Sequence, residues 1–494
     1  MLISKKYLVI NTDPAAPEKQ IVALDENKEL LFRLQVRPAK DGIPFYLDVE
    51  RFKGKSVEFL CDKKEFVFDG ETECKTPTCN SFRPEIHYTV PYGWLNDPNG
   101  LIFYGGKYHI FCQHNPLSTV WGNMHWHHSV TTDFADFEHI GDVLFPDKNG
   151  TMFSGSAVCD TQNVSGLGKN AMLLFYTNAE YSNNSTAPKF TQELAYSTDS
   201  VHFTKYAGNP IVPNITGENR DPKVVFVPEM NAYVMALYLD GDEYCLLKSD
   251  NLLNWNEFQR IHIKGDCECP DLYYLKESGK WILSGAADYY IVGSFNKNGF
   301  AAEQEPVRYY CELDGKNSYA AQSFFGTHGR VLRITWENID PENNQCFCGQ
   351  MSVPAEMSLV TLNDGRMRLK ASLCSEIENR LKPVQSGCAG KYITNGFCVA
   401  DIESKSDFSV NIDDTELNIN IKKNTISLGG KSIPLSLSGH INLRLIIDKM
   451  SIEIFADDGL IFSVIKSINN AHERIITVSG DDAKVKILKY KKQR

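Results

Sequence analysis

The chain has 494 residues, 42% of them apolar and 23% charged, with a formal net charge of −11. That length exceeds one ordinary hydrophobic core and calls for two or three domains. The acidic balance argues against nucleic acid and anionic membrane as partners, since both reward clustered Lys and Arg, and no stretch approaches the roughly 18 apolar residues of a membrane span.

The basic start, Met1 to Lys6, is followed by an apolar run of only Tyr7-Leu8-Val9-Ile10. A secretory signal needs about 7–15 apolar residues, so a cytoplasmic location is expected. The 14 cysteines show no framework spacing and are read as reduced thiols. Cys267-x-Cys269 and Cys346-x-Cys348 are one residue short of zinc-knuckle spacing.

Residues 1–80 hold short alternating runs, Tyr7–Ile10, Ile21–Leu24, Leu31–Val36, Phe45–Val49 and Val57–Leu60, separated by Asp13-Pro14, Asp41-Gly42 and Lys53-Gly54. Strands at this spacing predict a small β-sandwich module. No chemistry is visible in it, and packing or oligomerisation is its expected role rather than sugar binding. The stretch from Glu71 to Phe82, rich in Thr, Cys, Pro and Asn, reads as a linker.

From His87 a repeat begins. Turn-then-apolar strands recur at Gly105–Phe111, Lys169–Tyr176, Asn231–Leu237, Gly279–Leu283 and Gly329–Ile334. Five copies of about four strands, roughly 45–65 residues apart, predict a five-bladed β-propeller over 81–354. Beyond it, Leu359–Leu362, Met367–Leu369, Leu443–Ile447, Ile452–Phe455 and Leu460–Val464, with Asn363-Asp364-Gly365 and Asp457-Asp458-Gly459 turns, predict a C-terminal β-sandwich over 355–494. The fold class expected is all-β. The acids Asp457 and Asp458 belong to a hairpin turn, and their role there is structural.

The strand before each apolar repeat strand should line the channel. Its opening residues are Asn96-Asp97-Pro98 in copy one, Phe153-Ser154-Gly155-Ser156 in copy two and Arg220-Asp221-Pro222 in copy three. Copy four offers Glu268-Cys269-Pro270 and copy five Tyr319 to Ser323. The first of these lies in Trp94-Leu95-Asn96-Asp97-Pro98-Asn99-Gly100, whose composition predicts a tight turn. Equivalent positions of a closed ring converge, so Asp97, Asp221 and Glu268 should meet at one mouth of the channel. Like charges held close cannot all ionise at their ordinary pKa, which leaves one carboxyl protonated as an acid and another ionised. Glycoside hydrolysis needs that pair. A hard cation is the rival use, but calcium loops concentrate their ligands in one short segment, and neither metal nor cofactor is expected. Gln113, Trp121, Arg220 and Tyr319 supply polar and aromatic surroundings. In His125-Trp126-His127-His128, alternation puts His125 and His127 on one strand face, where hydrogen bonding is expected rather than a metal.

In order along the chain, Trp94–Gly100, Gln113-His114-Asn115-Pro116, Trp121-Gly122-Asn123-Met124-His125-Trp126, Phe153–Ser156, Arg220-Asp221-Pro222 and Glu268-Cys269-Pro270 resemble the motifs of glycoside hydrolase family 32. These are the β-fructofuranosidases: invertases, inulinases, levanases and sucrose-phosphate hydrolases. The resemblance implies a five-bladed propeller followed by a β-sandwich, and a retaining mechanism through a covalent fructosyl-enzyme. It implies Asp97 as nucleophile, Glu268 as general acid/base and Asp221 as stabiliser of the transition state. Asn96, Gln113, Trp121, Phe153, Ser154, Arg220 and Tyr319 would shape the subsite for the terminal fructose. The Asp97 and Glu268 carboxyls should then lie about 5–5.5 Å apart. Leu95 stands where Met is frequent. His127 stands where Gly is common, adding a titratable ring expected near the pocket wall. Asn317 stands before Tyr319 where an Asp is common, so the family's contact to the leaving-group sugar does not carry over to it. The reading is an exo-acting β-fructosidase on sucrose, short fructo-oligosaccharides or fructan, with fructosyl transfer and a non-catalytic sugar-binding propeller as alternatives. A homo-oligomer would form through the β-sandwich modules.

Overall fold

The computed structural model describes residues 1–76, 82–179, 190–340, 345–436, 439–469 and 473–492. Strands dominate it. The one α-helix, Ser375–Glu378, is a single turn among the described residues. The expected module boundary at residue 80 and part of the linker fall in 77–81, outside the described residues.

The N-terminal runs form two small sheets. One orders Ile43–Asp48, Tyr7–Thr12 and Gly70–Thr72; the other orders Leu30–Val36, Lys19–Leu24, Glu58–Cys61 and Lys64–Glu65. The apolar alternation of each run turns inward, burying Leu8, Ile10, Ile21, Ala23, Phe32 and Leu34. This core does not stop at the module. It is continuous with Tyr88, Tyr92 and Leu95 ahead of and within the next sheet, and with Leu332 and Ile334 of the fifth.

Five antiparallel sheets follow. They open with strands Gly93–Tyr104, Thr151–Asp160, Arg220–Val227, Asp271–Leu275 and Ser318–Ser323. The apolar repeat strands lie second in each, at Lys107–Asn115, Ala171–Ala179, Ala232–Asp240, Lys280–Ser284 and Leu332–Glu337. Each opening strand packs on the next in order, and Ser318–Ser323 packs back on Gly93–Tyr104. Phe347–Cys348 adds a parallel strand to the first sheet beside Gly93 and Trp94. Separate apolar layers fill the gaps between neighbours: Phe111, Trp126, Met172 and Leu174 join the first and second sheets. Leu173, Phe175, Met235 and Leu237 join the second and third, and Val234, Leu246, Leu272 and Leu283 join the third and fourth.

The fifth sheet continues past residue 354. Strands Ala355–Thr361 and Met367–Leu373 pair with each other, and the former with Leu332–Glu337. The hairpin around Asn363-Asp364-Gly365 is therefore part of the fifth sheet and not of the C-terminal region to which its spacing assigned it. Alternation and a turn define a hairpin but not the sheet it joins. The remaining strands form two six-stranded sheets. Ile402, Leu443, Leu445 and Ile454 of one face Val410, Leu417, Ile426 and Ile476 of the other in a single core.

Candidate active site

The heptapeptide from Trp94 to Gly100 is not a tight turn. It lies within strand Gly93–Tyr104, whose pairing slips twice, between Leu95 and Pro98 and between Asn99 and Ile102. Proline lacks a ladder donor and Gly100 adopts φ 53°, so the run bulges instead of reversing. The same slip occurs in three other opening strands, between Met152 and Gly155, Arg220 and Lys223, and Tyr319 and Gln322. Three of the bulges contain site residues, Asn96 and Asp97, Phe153 and Ser154, and Asp221, and the fourth directly follows Tyr319. Bulges leave residues out of the ladder and re-aim their side chains. Glu268 stands just before strand Asp271–Leu275. Gly155 fits its bulge because a Cβ there would lie 1.9 Å from the Phe175 carbonyl oxygen.

These residues line one cleft of about 280 Å³ with Asn96, Gln113, Trp121 and Arg220, near the lower end of small-ligand sites (roughly 300–1,000 Å³). All ten residues singled out in the sequence are on its wall. Met124, Cys269 and Trp336 line it as well. Cys269 adjoins Glu268 and carried a signal in that adjacency; Trp336 comes from the apolar strand of the fifth sheet, where nothing marks it.

Two of the three carboxylates, Asp97 and Asp221, meet at the Cys269 thiol. Its Sγ is 3.3 Å from Asp97 Oδ2 and 3.4 Å from Asp221 Oδ2, and its N–H donates to Asp221 Oδ2 at 3.0 Å. The Ser154 hydroxyl donates to Asp97 Oδ2 at 2.6 Å. Glu268 accepts from the Arg220 guanidinium at 2.6 Å on Oε1 and from the Tyr319 hydroxyl at 2.5 Å on Oε2. Arg220 is itself stacked 4.9 Å from the Tyr238 ring. Asp221, Glu268 and Cys269 have φ of 67°, 56° and 34°, a left-handed conformation costing about 1–3 kcal/mol at each non-glycine.

Burial pushes the Asp221 carboxyl up to about 7; the Arg220 charge opposes this and the Asp97 charge adds to it. Burial also raises Asp97, against the Ser154 hydrogen bond and with the Glu268 charge. The cluster thus retains a proton near neutrality, as like charges in a shared site require. Around it, the Gln113 amide nitrogen donates to the Met152 carbonyl at 3.0 Å while its buried oxygen has no protein partner. Trp121 is 51% exposed, with its ring edge-on to Phe153 at 5.9 Å.

Two departures from the family pattern lie outside the cleft wall, His127 against expectation. His127 is buried away from the cleft wall, its Nδ1 3.1 Å from Asp142 Oδ1, which is also 2.6 Å from His114 Nδ1. Strand alternation explains this: the neighbouring Trp126 packs in the apolar layer between the first and second sheets, its indole N–H on the Phe153 carbonyl, so His127 points to the opposite face. Asn317 is tied by its amide to the Asp314 and Val464 carbonyls and does not line the cleft. Among the described residues, two sets of side chains have metal-ligand chemistry, His114 with His127 and Asp142, and His87 with Glu337 and Glu453. Both are buried away from the cleft, and hydrogen bonds tie each group together, while His127 Nε2, Asp142 Oδ2, Glu337 Oε1 and Glu453 Oε2 are buried without a protein partner. The thirteen described cysteines are free thiols.

A model of the glycosyl hydrolases family 32 N-terminal domain matches residues 87–371. A levanase of Bacillus subtilis (strain 168) is 31% identical over 76% of this chain and 65% of its own length. An invertase of Schizosaccharomyces pombe is 31% identical over 56% of this chain and 53% of its own. A sucrose-6-phosphate hydrolase of Escherichia coli is 29% identical over 77% of this chain and 88% of its own. The chain therefore spans about half to two thirds of the levanase and the invertase. The crystal structure of an exo-inulinase from Aspergillus awamori superposes with a TM-score of 0.73 at 22% identity, over 84% of this chain and 99% of that one.

Proposed function

The chain belongs to glycosyl hydrolase family 32, and on that premise we propose that it is a retaining, exo-acting β-fructofuranosidase. The observation that carries the reading is the convergence of Asp97 and Asp221 on one Cys269 thiol, next in sequence to Glu268, in a cleft sized for a terminal sugar. Asp97 is the nucleophile. Its carboxylate bonds to the anomeric carbon as the glycosidic oxygen departs with a proton from Glu268. The fructosyl–Asp97 ester is then hydrolysed by water that gives its proton to the Glu268 carboxylate, which restores both acids. Arg220 and Tyr319 hold Glu268 on separate oxygens, so one carboxyl can serve as acid and then as base without moving. Asp221 accepts hydroxyls of the bound fructose. Asn96, Gln113, Trp121, Phe153 and Ser154 complete the subsite, where the unpartnered Gln113 oxygen is an acceptor for a sugar hydroxyl.

The architecture proposed with it is a five-bladed propeller, supported by the cyclic contact of the five opening strands and extended to Leu373. A β-sandwich follows it and a smaller one precedes it. The substrates are sucrose, short fructo-oligosaccharides or fructan, in keeping with the names of the relatives. Release of fructose from sucrose, kestose, inulin and levan, compared with Glu268→Gln, tests the reading. If the wild type frees no fructose from any of them, the reading fails.

A further inference from the structure

The N-terminal module touches the cleft only at second hand. None of its described residues lines the pocket. Strand Leu30–Val36 is the outer strand of its four-stranded sheet, and one side chain from beyond the module meets that open edge. The Asn123 Oδ1 accepts the Gln35 N–H at 2.7 Å, and its Nδ2 donates to the Gln35 carbonyl at 2.7 Å. A carboxamide that pairs with both main-chain groups of one residue copies a rung of a β-ladder and covers the edge. A second tie comes from Thr12, whose buried hydroxyl donates to the Leu117 carbonyl at 3.0 Å.

Both ties grip the segment 117–124, which carries Trp121 and Met124 of the cleft wall. This segment does not hold its shape by regular pairing. Gly122 has φ 146° and Asn123 φ 47°; apart from the module, Asn115 bonds Val120 and Leu117, the Met124 carbonyl accepts the Met152 N–H at 2.9 Å and the Trp121 ring rests edge-on against Phe153. A non-glycine residue in the left-handed region persists only where its surroundings fix it. For Asn123 those surroundings are the Gln35 main chain, Asn115 Oδ1, 3.1 Å away, and the His125 ring, whose Nδ1 lies 2.5 Å from the Asn123 carbonyl oxygen.

We propose that the N-terminal module is a positioning device for the terminal-sugar subsite, with Asn123 as the positioning residue through which it holds Trp121 and Met124 against the substrate. This rests on the fructosidase reading. The acids are held by a different set of bonds, from Ser154, Cys269, Arg220 and Tyr319. Loosening the segment therefore lowers affinity, by removing preorganised contact, and leaves the chemical step nearly intact.

Two variants cut the link from opposite sides. Asn123→Ala removes the carboxamide. Gln35→Pro removes the main-chain donor; because that N–H faces Asn123 and not the neighbouring strand, proline costs no ladder bond on this outer strand. Each should raise KM for sucrose or kestose about 5- to 20-fold with kcat within about twofold, and the double variant should be no worse than the poorer single one. Acrylamide quenching of tryptophan fluorescence should rise in both variants, and the rise should vanish when Trp121→Phe is added. An unchanged KM with a lowered melting temperature, or effects that add in the double variant, would overturn the proposal. If the wild type releases no fructose, the fructosidase reading fails on its own. The quenching measurement then still decides, without substrate, whether the module holds the segment.

Discussion

Among the described residues, one cluster of three carboxylates lies in the cleft and another in the joint between the fifth sheet and the C-terminal sheets. In the joint, His87 sits between Asp448 and Glu453, 2.9 Å from the first through Nδ1 and 3.0 Å from the second through Nε2. Glu337 bonds Gln350, which also bonds Ser451. All four ionisable groups are fully buried. A cation is enclosed with the acids, and Glu337 and Glu453 stand in regular strands. In the cleft, the cation Arg220 sits at the edge and 33% of the Glu268 side chain is exposed. There the acids ride on bulges and left-handed residues. Proximity of acids alone does not make a reactive site. Regular backbone with an internal counter-charge gives a joint; irregular backbone that opens the acids to a cleft gives a place where a substrate can meet them.

The largest effect separates the two clusters by activity. Asp97→Asn and Glu268→Gln should each lower kcat by about 10³–10⁴-fold, measured as fructose release, whereas Glu337→Gln should leave kcat within about twofold. A comparable loss in Glu337→Gln would erase the distinction. The next effect separates them by stability. His87→Ala leaves Asp448 and Glu453 buried without their cation and should cost about 3–5 kcal/mol in urea unfolding, while Asp97→Asn should cost nothing or stabilise by relieving like-charge strain.

The pH dependence of that joint has a definite sign. Burial lowers the His87 pKa, but its hydrogen bonds to Asp448 and Glu453 more than offset this and hold it well above its ordinary 6.5. A raised histidine contributes stability that is complete below 6.5 and is lost as pH rises through its folded value. Asp448, raised by burial but brought down to about 2 chiefly by His87, contributes stability above its ordinary 3.8 that is lost only toward about 2. Unfolding free energy should therefore fall on the alkaline side in the wild type, and more shallowly in His87→Gln.

The two clusters also differ in how far the sequence reveals them. Asp97, Asp221 and Glu268 were visible because each opens a matching repeat position, and matching positions in a ring of strands face a common axis. His87, Glu337, Asp448 and Glu453 come from unmatched positions up to 366 residues apart, and no local pattern relates them. Alternation located the second strands of all five sheets, since a buried apolar strand prints its period directly. It could not show that Trp94–Gly100 bulges rather than turns, because Pro, Asn and Gly suit both. Nor could it show which way His127 faces, because a strand with bulges and two covered faces gives no polar side to read. Asn123 stood inside a familiar run, yet its partner is a main chain 88 residues away, which no side-chain pattern encodes.

The smallest effect asks whether like charge sets the titration in both clusters. After burial and the opposing Ser154 bond, the Glu268 charge is what raises Asp97. Glu268→Gln, assayed on an activated fructosyl donor whose leaving group needs no proton, should keep an acid limb in kcat/KM but move it to lower pH. In the joint, burial and then the Glu453 charge push Glu337 up to about 8. An acid raised above its ordinary 4.5 favours the folded state below 4.5 and loses that contribution as pH climbs to about 8. Glu453→Gln keeps an acceptor for His87 but removes the charge, so this loss should be complete at a lower pH and smaller in total, read from unfolding free energies between pH 5 and 8.5. A shift in the cleft without one in the joint would mean that burial alone protonates Glu337. The difference between the clusters would then lie in depth, and not in how each neutralises its acids.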